Sequence, residues 1–192
     1  SILVLFGFTF RAGWIANYEN GDVPQEMLVY TQTSPDLHNL AKEIERTAAL
    51  TGDRTAIKLA IDTKDAYQWP WQWYLRRYTE VVYSDHSSDK AVVGDDRLII
   101  VVNEHNNAEL ISKLPEGFSE GRRLVHRWWF PERYRDVKPG EFFATLIDRN
   151  RWKGPVDYFM YRELSHPVGS IDSYVYFSDE IPLAPAKGHT CG

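Results

Sequence analysis

Strand-like and helix-like apolar patterns alternate four times in this chain of 192 residues, and that alternation limits the available folds more than any other feature. Residues 26–32 (EMLVYTQ) read as a first buried strand. Ser34, Pro35 and Asp36 follow as an N-cap, a proline at the first helical position and an acid in the first turn. Leu37, Leu40, Ala41, Ile44 and Ala48 continue as a stripe of helical period until Gly52 stops it. Residues 56–61 (AIKLAI) make a second strand ended by Asp62, and residues 80–83 (EVVY) a short third one. Residues 97–102 (RLIIVV) are the most hydrophobic strand and are expected at the centre, since strands of a parallel sheet are buried on both faces. A helix over 107–114 is stopped by Pro115. A further strand, 122–129 (RRLVHRWW), ends at Pro131. Residues 140–149 predict an amphipathic helix with Phe142, Phe143, Leu146 and Ile147 inward. Residues 152–161 predict a second helical piece, and 173–177 (SYVYF) an alternating strand on an edge. The expected fold class is α/β, a three-layer sandwich with a mainly parallel sheet.

The densest aromatic stretch lies between the second and third strands. Trp69, Pro70, Trp71, Gln72, Trp73, Tyr74, Leu75, Arg76, Arg77 and Tyr78 hold three of the seven tryptophans within five residues. Pro70 suits the first turn of a helix. From there Trp71, Tyr74, Leu75 and Tyr78 follow i, i+3, i+4, i+7 and form one apolar face. Trp69, Trp73 and Arg77 form a second stripe, flanked by Arg76. Burial of the tryptophans in a core competes with a surface that stacks on a sugar or meets a phosphate, which the planar guanidinium suits. Trp128-Trp129-Phe130, surrounded by Arg122, Arg123, Arg127, Arg133 and Arg135, is a second, less regular aromatic and basic cluster.

If the sheet is parallel, its carboxyl ends share one rim, where ligands gather in such folds. That rim collects Gln32-Thr33, Asp62 with the Trp69 region, Asn103-Glu104-His105, and Trp128-Trp129. Dinucleotide, P-loop, zincin and nucleophile-elbow fingerprints are all missing. The Glu104-His105 pair, at a strand end, reads as a capped loop before it reads as half of a metal site. His126 alternates with apolar neighbours and reads as structural. Asp85, Asp89, Asp95 and Asp96 fall in a polar loop and read as a solvated face.

Composition excludes several function classes. Charged residues at 26% and hydrophobic ones at 43% are globular values. A net charge of −5 argues against nucleic acid as a partner. One cysteine, Cys191, leaves no internal disulfide framework. The first twenty residues are set apart. Residues 1–10 are apolar, and Arg11, Trp14 and Tyr18 follow, as at the interfacial end of a membrane helix; a buried first element fits equally. Residues 21–181 are expected to form a single α/β domain, and 182–192 a loose tail.

Two pieces, the run from Asp22 to Asp36 containing Leu28-Val29-Tyr30-Thr31-Gln32-Thr33-Ser34-Pro35-Asp36, and Trp69-Pro70-Trp71-Gln72-Trp73-Tyr74-Leu75-Arg76, resemble the family of predicted membrane-bound mannosyltransferases. These are GT-C-type glycosyltransferases, distantly similar to oligosaccharyltransferase catalytic subunits. The resemblance implies the soluble C-terminal domain of such an enzyme, on the extracytoplasmic side. It also implies a polyprenyl-phosphate-linked sugar donor, an acceptor, the membrane surface and the chain's own transmembrane domain as partners. The catalytic carboxylates and any divalent metal would belong to the membrane part, so no catalytic residue and no cofactor is assigned here. The acceptor-binding Trp-Trp-Asp motif of oligosaccharyltransferases is Trp128-Trp129-Phe130 in this chain, which lacks the carboxylate. The candidate substrate-binding residues are Trp69, Trp73, Arg76, Arg77, Asp62, Trp128 and Trp129. Competing readings are a stand-alone hydrolase or transferase using Asp62 and Glu104, and a structural domain that docks a partner.

Overall fold

The computed structural model describes residues 2–21, 23–26, 31–87, 98–131 and 138–182. The chain forms two compact units, Ser1–Gln32 with Arg127–Ser170 (unit 1) and Thr33–His126 with Ile171–Gly192 (unit 2).

The strands are β1 (Thr31–Thr33), β2 (Lys58–Asp62), β3 (Val81–Ser84), β4 (Leu98–Asn103), β5 (Arg122–Trp129) and β6 (Gly169–Phe177). They make a six-stranded sheet in the order β1-β5-β6-β4-β2-β3. β2 is parallel to β3 and to β4, whereas β4 is antiparallel to β6. The fold class is therefore α/β, but the expectation of a mainly parallel three-layer sandwich is corrected: the sheet is mixed. The apolar pattern marks a strand without marking its direction, and nothing local forces the last strand to return by a parallel crossover.

β4 lies inside the sheet with all six residues buried, as its unbroken apolar run demands. β6 also lies inside, between β5 and β4, which corrects its expected edge position. Its alternation has another origin. Val175 and Phe177 face one core, and Tyr176 faces the other while its hydroxyl donates to Asn107 Oδ1 at 2.7 Å. The expected strand over 26–32 falls mostly on residues 27–30, outside the described residues, as do the loop residues 88–97 and the tail from 183.

Helix α2 (Pro35–Thr51) starts and stops as its sequence requires. The Ser34 hydroxyl accepts from the Asp36 N–H at 3.1 Å, Pro35 opens the first turn, and Gly52 closes the helix at φ +75°. Leu37, Leu40, Ile44 and Ala48 pack with Leu59, Ile61, Ile99 and Val101 of the sheet and with Trp71 and Leu75. The alternate residues Ala60, Leu98, Ile100 and Val102 pack on the opposite face with Leu110 of α4 (Glu104–Lys113). Helix α3 (Gln68–Tyr74) is shorter than its pattern suggests; Leu75 caps it, and Arg76 and Arg77 lie beyond its last turn.

Unit 1 contains α1 (Ile2–Trp14), which runs on into a π-helical stretch, Ile15–Glu19, together with α5 (Pro139–Ile147) and α6 (Lys153–Tyr161). Specific contacts tie it together. Phe8 stacks on Phe159 with centroids 5.0 Å apart, Phe130 meets Tyr158 edge-on, and Arg162 pairs with Glu26 at 2.9 Å. The inward placement expected for α5 is corrected for Phe143 and Ile147, which are exposed. A helical apolar stripe signals that a helix has a face to cover, not that its own unit covers it.

Candidate functional site

Parallel pairing of β2 with both β3 and β4 brings three strand ends to one rim of unit 2. Chain order makes this a topological switch point. From β2 the chain goes outward to β3, then returns past β2 to β4 on its other side. Connections that leave neighbouring strands in opposite directions open a crevice at their carboxyl ends. β6 runs antiparallel to β4 with Ser173 opposite Asn103, so the start of β6 reaches the same rim.

Asp62 sits at the middle of this rim, fully buried. Its Oδ1 accepts from the Lys64 N–H at 2.9 Å, and its Oδ2 from the Asn103 N–H at 3.0 Å and from Asn106 Nδ2 at 2.9 Å. Asn106 Nδ2 also donates to Asp85 Oδ1 at 3.0 Å, which ties the end of β3 to α4. Asn103 caps α4, its Oδ1 accepting from the His105 N–H at 2.9 Å, while its Nδ2 donates to Asp65 Oδ2 at 3.2 Å. The segment read as a strand-end loop, Asn103-Glu104-His105, is thus the cap and first turn of a helix that begins three residues earlier than its apolar pattern. Asp65 and Ala66 both have positive φ, 53° and 59°. Two consecutive non-glycine residues in this region cost on the order of 1–3 kcal/mol each, offset here by the bonds that the turn makes.

The electrostatics follow from the packing. The Ser87 hydroxyl and backbone N–H, helped by Asn106 and Lys64, hold the Asp85 carboxyl below the usual carboxylate range. Burial pushes the His86 imidazole below its ordinary value, against the opposite pull of Asp62, Asp85 and the Ala60 backbone. On the other side of Asn103, buried Asp172 pairs with the exposed Arg123 guanidinium. The Tyr67 hydroxyl donates to the Asp172 carbonyl, and the Tyr67 ring lies against buried His126 at 3.8 Å between centroids. Ser84 Oγ, Asp172 Oδ1 and Ser173 Oγ are buried without a hydrogen-bond partner among the described residues. Ser84 stands opposite Asp62 in the ladder, and Ser173 opposite Asn103. Unfilled polar capacity therefore flanks Asp62 on both sides, the usual mark of bound water or a polar ligand. Among the described residues no three His, Cys, Asp or Glu side chains are grouped as metal ligands would be.

The Trp/Arg helix leaves the rim by way of Tyr67. Trp71, Leu75 and Tyr78 are buried, while Trp69 and Trp73 are 72% and 65% exposed, so the two aromatic stripes face opposite ways. Trp69 stands at the rim end of α3. One turn on, the Arg76 guanidinium lies 4.2 Å over the Trp73 ring and donates to the Trp73 carbonyl at 2.7 Å, so one indole face is already covered. Arg77 turns away from both. It lines a cleft of about 440 Å³ with Glu45, Asp53 and Arg54, next to the end of α2. Burial and Glu45 push the Tyr78 hydroxyl, bonded to Glu45 at 3.0 Å, up to about 12. Trp128 and Trp129 belong to unit 1 and are half-buried there, with the Trp129 indole so close to Gly169 that a Cβ at Gly169 would fall 2.4 Å from Nε1.

Of the residues singled out in the sequence, unit 2 gathers Asp62, Trp69, Trp73, Arg76 and Arg77, with Asp62 and Trp69 nearest the switch point. Sequence reading missed Asp85, His86, Asn106 and Asp172. Asp85, expected on a solvated face, is partly exposed and also accepts from Ser87 and Asn106; Asp89, Asp95 and Asp96 lie outside the described residues. Carrying the strand-end argument to the third strand, and noting Asn106 three residues after Asn103, would have found two of the four. No protein-family model, curated protein or solved structure matches this chain.

Proposed function

We propose that this chain is the extracytoplasmic soluble domain of a membrane-bound, mannosyltransferase-like glycosyltransferase that uses a polyprenyl-phosphate-linked sugar. In this reading unit 2 positions sugar or acceptor and leaves the bond-making to the membrane part. One observation carries it: Trp69 and Trp73 stand exposed on a helix whose other face, through Trp71, packs into the core. A pyranose ring offers an apolar C–H face to an indole, and its hydroxyls suit carboxylates and amides of the kind that surround Asp62. Trp69, with no ring or cation placed over it among the described contacts, is the stacking platform. Trp73 instead holds Arg76 as a fixed cation, suited to the phosphate next to the sugar. Asp62 is a poor candidate for a general base, because both of its oxygens already accept N–H bonds.

A second reading, a stand-alone hydrolase or transferase at the rim, is favoured by the unfilled buried polar atoms beside Asp62. Calorimetric titration with mannose, mannose 1-phosphate and a short polyprenyl-phosphate mannose separates the two. Loss of an aromatic stack is worth about 0.5–1.5 kcal/mol, so Trp69→Ala should weaken all three ligands roughly two- to tenfold. Arg76→Ala should weaken only the phosphate-bearing ones, and more at low salt. Binding that is untouched by either change, or turnover that vanishes with Glu104→Gln, would sink the positioning role.

A further inference from the structure

A cleft of about 440 Å³ opens in unit 2 at the amino ends of β2 and β3, away from the rim. The end of α2 and the 3₁₀ turn Arg54–Ala56 lead into β2 there, and Arg77, past the end of α3, leads toward β3. Pockets of about 300–1,000 Å³ are the size that holds small organic molecules. Ala48, Ala49 and Gly52 line one part of the cleft with small side chains, and Glu45, Asp53, Arg54 and Arg77 line the rest.

Two carboxylates and two guanidiniums cancel in formal charge, so the hydrogen bonds decide what the cleft can take. Every carboxylate oxygen in it already has a donor. Glu45 Oε1 accepts from Arg54, and Glu45 Oε2 from the Tyr78 hydroxyl at 3.0 Å. Asp53 Oδ1 accepts from the Thr55 N–H at 2.8 Å, and Asp53 Oδ2 from the Thr55 hydroxyl. The Ala48 carbonyl, in the last turns of α2, accepts from the Thr51 hydroxyl at 2.9 Å. The bonds from Thr55 hold the Asp53 carboxyl below the usual carboxylate range, and the Arg54 guanidinium does the same for Glu45. Donors, by contrast, are left over. Arg77 is exposed and makes no hydrogen bond or ion pair among the described residues, although its charge is felt at Glu45. A guanidinium is a planar fork that matches two oxygens of one anion.

We propose that this cleft binds a small organic oxyanion, a phosphate monoester or a carboxylate, with the Arg77 guanidinium as its two-pronged anchor and Ala48, Ala49 and Gly52 against its carbon skeleton. The preference for an anion follows from the hydrogen bonds. A cation would find each carboxylate oxygen engaged, whereas an anion meets an unengaged fork. Glu45 opposes the anion, because its charge lies near Arg77, and so limits the affinity. The site is separate from the sugar platform, since none of Trp69, Trp73 and Arg76 lines it, and either reading can fail without the other. A ligand held here joins the end of α2 to the segment after α3, and by binding the folded chain alone it stabilises unit 2.

The test is calorimetric titration of the full chain with glycerol 3-phosphate, succinate and inorganic phosphate at low and high salt, with urea midpoints read at saturating ligand. Glycerol 3-phosphate or succinate should bind more tightly than inorganic phosphate and raise the midpoint; which of the two does so names the acid group. Salt should weaken the binding, because exposed charges are screened. Arg77→Ala should weaken it at least about tenfold, and Arg77→Lys, which keeps the charge without the fork, should recover only part of that. Glu45→Gln keeps an acceptor for Tyr78 and removes the opposing charge, so it should tighten binding, on the order of twofold to fivefold. Arg76→Ala should leave it unchanged. Circular dichroism and the ligand-free midpoint show that each variant is folded. No binding of any of these anions overturns the proposal, as does an Arg77→Ala chain that binds like the parent. Loss with Arg76→Ala instead would move the anion to the Trp73 platform and refute the cleft. Equal affinity for all the anions, reduced alike by both arginine changes and abolished by salt, would mean diffuse surface charge and refute it too.

Discussion

Removing the Asp62 carboxylate tests whether the rim is a structural knot or a reaction centre. Three donors converge on its two oxygens, the N–H groups of Lys64 and Asn103 and the Asn106 side chain, and none of the carboxylate is exposed. A buried donor left without a partner costs about 1–3 kcal/mol. Asp62→Ala strands three, and water entering the small gap can satisfy one of them, so a net loss of about 2–6 kcal/mol is expected. That is a large share of the roughly 5–15 kcal/mol that holds a domain together. Asp62→Asn keeps the shape. With its oxygen turned toward Asn103 and Asn106 it retains two bonds and sets its NH₂ against the Lys64 N–H, for a loss of about 1–3 kcal/mol. Asn106→Ala frees one bond to Asp62 and one to Asp85, and should lie in the same range as Asp62→Asn. Urea unfolding followed by circular dichroism reads all three, with the slope m checked for constancy. Asp62→Ala within about 1 kcal/mol of the parent would refute the knot, as would Asp62→Asn losing as much as Asp62→Ala. Either result would return Asp62 to the list of free carboxylates at the rim.

The two aromatic stripes of α3 make opposite forecasts. Trp71→Ala should cost about 3–5 kcal/mol, whereas Trp69→Ala and Trp73→Ala should each stay within about 0.5 kcal/mol; equal losses in the urea midpoints would mean that the stripes are not separate. His86 gives a pH signature. Its folded value lies below the unfolded reference of about 6.5, so the unfolded chain binds more protons in that window. The stability from neutral His86 is therefore full above about pH 6.5 and is lost as pH falls through the folded value, with a slope of at most about 1.4 kcal/mol per pH unit. Subtracting the His86→Gln profile from the parent's isolates this term, and a flat difference between pH 7 and 5 would contradict it.

Much of unit 2 was legible in the amino-acid order because its signals are local. Ser34, Pro35 and Gly52 set the limits of α2 by backbone chemistry alone, and the period of Leu37, Leu40, Ile44 and Ala48 names its buried face. The unbroken run of β4 announces burial on both sides. The same logic sorted α3 into a buried stripe through Trp71 and an opposite stripe through Trp69 and Trp73. Which stripe would be buried was not settled by period, since either contains enough indole to make a core. It was settled by the sheet, which offers Ile61, Ile99 and Val101 to one side only. Strand direction was likewise beyond reach, because alternation and apolar runs are the same for parallel and antiparallel neighbours; hence the errors over the mixed sheet and over β6. The rim network has the same cause. Asp62, Asp85, Asn103, Asn106 and Asp172 are scattered over 111 positions of sequence and meet only because β2, β3 and β4 end together while β6 begins there. In unit 1 the apolar residues of α1, α5 and α6 were each visible as a demand for cover, but a pattern states the demand and only the packed structure shows what is left uncovered. Local order determines which residues must be helix, strand or cap, since those choices depend on neighbours within a turn. Direction, adjacency and exposure depend on contacts between distant segments, and so the tertiary structure alone decides them.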